Sequence, residues 1–105
     1  MKKIEEFMLS IGGHVSNRGF DVICAAYEMI QAGEIDPAGK VMEMYTTLAK
    51  QFGITPNSAE RSIRHEITRI YNQRYTPLPD FLAPDEDSGK LPNKEFITRL
   101  VKFVD

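Results

Sequence analysis

The stretch from Thr47 to Tyr71 constrains this chain most, because it holds two amphipathic segments separated only by a short glycine turn. Leu48, Ala49 and Phe52 close the apolar stripe of the first segment. Gly53 supplies a sharp reversal, Ile54 is apolar and can plug the corner, Thr55 is a good N-cap, and Pro56 suits the first helical position. Ala49 is small where two helices must approach closely. The second helix is predicted from Pro56 to about Tyr71 or Asn72.

That second helix divides into an oily and a basic side. A helix turns about 100° per residue. On that wheel Arg64, His65, Thr68, Asn57 and Ser58 all fall within about 60° of Arg61. Ala59, Ile63 and Ile70 fall within about 20° of the opposite pole, with Ile67 about 60° from it. Glu66 projects toward the buried side. The layout is that of a helix-turn-helix whose second helix enters the DNA major groove.

The chemistry of the basic side suits bases and phosphates. Arginine can donate two parallel hydrogen bonds to guanine, worth roughly 1–3 kcal/mol of discrimination. Glu60 flanks that side, where a carboxylate can accept from cytosine N4 but would repel a phosphate. An acid beside Arg61 therefore points to base reading rather than general adhesion. Arg64, His65, Asn57 and Lys50 are better placed for phosphates, which position without specifying. A solvated face with an incidental mixture of charges is the plain alternative; the preceding helix, Ala49 and the Gly53 turn weigh against it.

The remaining sequence reads as helices and loops. Ile4, Phe7, Met8 and Ile11 form one face of a short helix over residues 2–11, stopped by Gly12-Gly13. A second helix is predicted over Phe20–Gln31, on a stripe of Phe20, Ile23, Tyr27 and Ile30. Asp36-Pro37 reads as a cap followed by a first helical proline, opening a helix that either runs to Phe52 or breaks near Gly39. Pro77, Pro79 and Pro84 with Asp80, Asp85, Glu86 and Asp87 make residues 73–91 an acidic loop, with a short helical turn around Phe81-Leu82. Asn93 is expected to cap a last helix carrying Phe96, Ile97, Leu100, Val101 and Val104. Nothing alternates long enough for a strand. The expected fold is all-α, five or six helices around a helix-turn-helix, with residues 1–105 as a single domain.

Composition narrows the function. Net charge is −2, yet residues 40–74 hold Lys40, Lys50, Arg61, Arg64, Arg69 and Arg74 against Glu43, Glu60 and Glu66, a local +3 within an acidic body. Cys24 is alone, which excludes an internal disulfide and a thiolate zinc site, and it reads as a small buried apolar residue. His14 has no second ligand candidate nearby and reads as a loop residue. His65-Glu66 begins the H-E-x-x-H zinc motif, but Arg69 stands where the second histidine is required. No Gly-rich phosphate loop, nucleophile signature or membrane-length apolar run is present, so an enzyme, a cofactor, a metal and a membrane partner are not expected. A cytoplasmic, nucleoid-associated setting is expected.

E-R-S-I-R-H at Glu60 to His65, preceded by L-A-K-Q-F at Leu48 to Phe52, resembles the C-terminal DNA-binding domain of the stage-zero master sporulation response regulators of endospore-forming bacteria. That family carries a similar I-A-K-K-Y and E-R-A-I-R-H at the same separation. Ile11-Gly12, Gly19 and N-K-E-F at Asn93 to Phe96 extend the resemblance over nearly the whole chain. It implies an all-α, six-helix effector domain that binds short promoter sites in double-stranded DNA, as a homodimer or tandem copies. It puts Glu60 and Arg61 on base-reading positions and Arg64 and His65 on backbone-contacting ones. Ser58 stands where the family has a base-contacting arginine, so base preference is expected to differ there. The family's regulators carry an N-terminal receiver domain. This chain is expected to be effector-type, either excised from such a regulator or free-standing without a phosphorylation switch. The family's RNA polymerase contact lies partly after the recognition helix. Gln73 to Ala83 is proline-rich and divergent, so activation does not carry over with it. The competing expectation is a protein-interaction module that pairs with or antagonises a related full-length regulator without binding DNA.

Overall fold

The longest helix holds the others together. The computed structural model describes residues 1–104; Asp105, the end of the expected single domain, lies outside them. The order is α1 (Lys3–Ser10), α2 (Arg18–Gln31), α3 (Val41–Phe52), α4 (Pro56–Asn72), a 3-10 turn (Asp80–Leu82) and α5 (Asn93–Phe103), with no strand among the described residues. α4 packs against α2, α3 and α5, in a body of 34 × 32 × 26 Å. Ala59, Ile63, Ile67 and Ile70 are all fully buried, as the 3.6-residue period requires. Each isoleucine contributes about 1.5–3 kcal/mol of apolar burial. They join Phe20, Ile23, Leu48, Phe96 and Leu100 in one core.

Local chemistry fixes how α4 is entered. Gly53 takes the left-handed conformation at φ 64° and ψ 35°, and the Ile54 N–H donates back to the Ala49 carbonyl at 3.0 Å, closing α3. Thr55 Oγ1 accepts from the Ser58 N–H at 3.1 Å, with Pro56 in the first turn. The α2 backbone approaches α4 closely at Gly19. A Cβ there would lie 2.2 Å from the Ser62 carbonyl oxygen and 2.6 Å from Glu66 Cβ.

Three boundaries differ from expectation. α2 begins at Arg18, two residues before Phe20. α3 begins at Val41, so the chain breaks near Gly39 as one of the two expected courses had it, and Asp36-Pro37 opens no helix before that break. Asp36 Oδ1 accepts from the Ala38 N–H at 2.9 Å and the Asp36 carbonyl from the Gly39 N–H at 3.0 Å, so that pair closes a turn instead. Asn93 does not cap α5. Pro92 holds the cap position, and Asn93 is the first helical residue, its side chain turned toward α3 and α4. The helical turn at Phe81-Leu82 forms, tethered by Tyr71, whose hydroxyl donates to the Leu82 carbonyl at 2.6 Å.

Candidate nucleic-acid interface

α4 turns one side to solvent and keeps the other in the core. Asn57, Arg61, Arg64 and His65 are exposed, and Lys50 is exposed in the last turn of α3. Among the described residues the side chains of Asn57, Arg61, His65 and Lys50 accept or donate no hydrogen bond. Their donors are therefore open to an incoming ligand. Ser58 is half-buried. Its hydroxyl oxygen accepts from Thr55 Oγ1 at 3.0 Å, which leaves its own proton to donate.

Glu60 and Arg64 are already coupled. Arg64 Nε donates to Glu60 Oε2 at 2.9 Å, one helical turn away. Asn93 Nδ2 lies 3.3 Å from both Glu60 Oε2 and the Glu60 carbonyl, and 3.0 Å from the Tyr45 hydroxyl. Tyr45 is buried, and that burial pushes its phenol above the usual range, partly offset by Asn93. A connected set of polar groups thus runs from the α3 core through α5 to the outer side of α4.

Glu66 behaves differently. Its carboxylate is 1% exposed and accepts from Asn17 Nδ2 at 2.9 Å, from the His14 N–H at 2.9 Å and from Arg69. Arg69 Nη2 also donates to the Gly12 carbonyl at 3.2 Å. Glu66 and Arg69, counted in the local charge of residues 40–74, are thus spent on holding the α1–α2 connector to α4. The H-E-x-x-R string serves this structural pair.

Two cations that the charge window missed border the same side of α4. Lys90, at the end of the acidic loop, donates from Nζ to Thr68 Oγ1 at 2.7 Å, while Thr68 Oγ1 donates to the Arg64 carbonyl. Buried Leu91 anchors that reach. Arg18, at the start of α2, lines a groove with Ser16, Asn17, Ser62 and His65. Lys90 and Arg18 therefore flank opposite edges of the helix. Neither of them was singled out in the sequence.

Catalytic alternatives find little chemistry. Burial pushes the Cys24 thiol up to about 12, so it stays protonated and a poor nucleophile at neutral pH. Among the described residues no group of three or more His, Cys, Asp or Glu could hold a metal ion. Among the described residues no helix is long and apolar enough to cross a membrane.

Comparison with known proteins agrees with the basic, half-exposed helix. No curated protein and no solved structure matches the chain. The family described as sporulation initiation factor Spo0A C terminal matches residues 4–104. That family is the DNA-binding effector region of a sporulation regulator, and it is not an enzyme family. The match takes in α2 to α5 and all of α1 but its first residue, and the chain belongs to the Spo0A C-terminal family of DNA-binding transcription regulators.

Proposed function

We propose that the chain is a sequence-specific regulator that binds double-stranded promoter DNA with α4 lying in the major groove. The observation that carries this reading is the division of α4. Four of its apolar side chains are wholly buried, and the opposite side presents Asn57, Arg61, Arg64 and His65. A major groove about 12 Å wide admits one such helix. Arg61, whose guanidinium has no partner among the described residues, reads a guanine. Glu60 offers its carboxylate to a base amine, and Ser58 its hydroxyl proton. Arg64, His65, Asn57 and Lys50 contact phosphates, with Arg18 and Lys90 as further phosphate contacts at the two edges. Binding as a homodimer or as tandem copies is part of this proposal, and the stoichiometry on a selected duplex reports it.

Selection of bound duplexes from a random pool tests the reading. The expected result is one short enriched site whose affinity falls steeply with salt, by about 0.9 in log–log slope for each phosphate contact. A pool with no enriched sequence at low salt would overturn sequence-specific binding.

A further inference from the structure

Glu60 and Asn93 come from helices separated by the whole acidic loop, yet they meet beside the outer side of α4. The Asn93 amide spans the Tyr45 hydroxyl at 3.0 Å and the Glu60 carboxylate at 3.3 Å. Tyr45 is 5% exposed and cannot move without disturbing the core. Asn93 is the first residue of α5, held by buried Leu91 on one side and Phe96 on the other. The amide is therefore fixed at both ends, and it faces a carboxylate that the core does not otherwise hold.

A glutamate on an exposed helix side has several rotamers of similar energy. Where it points decides whether it meets a base amine or repels a phosphate. Arg64 alone does not settle this, because Arg64 is itself exposed and has no anchor in the core. Asn93 supplies the fixed point. One of its two amide hydrogens goes to the phenol oxygen, and the other is shared at 3.3 Å between the Glu60 carbonyl and the Glu60 carboxylate, which holds the carboxylate against its own backbone.

We infer that Asn93 is a positioning residue for base recognition: it anchors the Glu60 carboxylate, and through it Arg64, in the orientation that meets DNA. This rests on the proposal that Glu60 reads a base. Asn93 contributes no contact to DNA itself. Its effect appears only at the base pair opposite Glu60, and only while Glu60 is present.

The test uses the full chain, a duplex selected from a random pool, and the set of duplexes carrying each single base-pair substitution. The readout is the ratio of affinities for the selected and substituted duplexes. Pre-ordering one such side chain corresponds to roughly a 2- to 10-fold effect. Asn93→Ala is expected to lower the ratio by that factor at one base pair and to leave it unchanged elsewhere. In a Glu60→Ala background, Asn93→Ala is expected to change nothing further. Asn93→Asp is the second variant. An acid in the first turn of α5 favours the helix, so folding is retained, while its charge repels Glu60. It should lower the ratio at least as much as Asn93→Ala. An unchanged ratio in both variants, or a loss that persists without Glu60, overturns the inference. If Glu60→Ala alone leaves every ratio unchanged, or if no duplex is selected, the underlying reading falls and the inference with it.

Discussion

Glu60 and Glu66 lie on the same helix, each within one turn of an arginine, and they do opposite things. The Glu66 side chain is 1% exposed, that of Glu60 36%. Glu66 gathers a side-chain amide, a backbone N–H and a guanidinium, so its desolvation is compensated on every side. Glu60 has Arg64 and one long bond from Asn93, and keeps acceptor capacity toward solvent. One pair fastens the connector before α2 onto α4. The other stands at the outer side with room for another donor. Residue type and spacing are nearly the same, and burial decides the role.

Substitutions can break that contrast. The largest effect is expected from Glu66→Ala, which leaves the Asn17 amide and the His14 N–H without their acceptor, while Arg69 keeps the Gly12 carbonyl and solvent. With two donors left unsatisfied, a loss of about 2–4 kcal/mol in denaturant unfolding is expected. A loss below about 1 kcal/mol would show that the connector repacks freely. Arg69→Ala leaves Glu66 two donors and removes the partner of the Gly12 carbonyl, for an expected loss of about 1–3 kcal/mol by the same measurement. Glu60→Ala should change stability by less than about 1 kcal/mol, since a half-exposed ion pair contributes little. On DNA the expectation reverses. Freed from its partner, Arg64 should raise affinity for random duplex at low salt while base discrimination falls. If Glu60→Ala destabilised the fold as much as Glu66→Ala, the two glutamates would be equivalent and the contrast would disappear.

The inner side of α4 was legible in the sequence because periodicity reports it directly. Ala59, Ile63, Ile67 and Ile70 are buried as expected, and Glu66 points inward with them. The Thr55 cap and the Gly53 turn were legible because each depends on one residue's own stereochemistry. Asp36-Pro37 misled because the same pair that starts a helix also closes a turn, and a local side-chain bond decided between them. Asn93 misled for a different reason. A cap residue is read from its neighbours in sequence, whereas its amide is used 33 and 48 residues away. The local charge of +3 was right as a sum but not as a surface. Glu66 and Arg69 belong to a structural pair, and Lys90 and Arg18 enter from outside the window. Sequence periodicity assigns inside and outside on one helix. It does not tell which distant side chain borders it.

The central claim is that the outer side of α4 reads bases through Arg61 while the inner side only holds the fold. Affinity of Arg61→Ala for the selected duplex and its single-substituted variants, taken alongside its unfolding free energy, tests this most directly. The expected result is a loss of about 1–3 kcal/mol on the selected site, a relaxed preference at one base pair, and no change in stability. Wild-type affinity and wild-type preference from Arg61→Ala would contradict it.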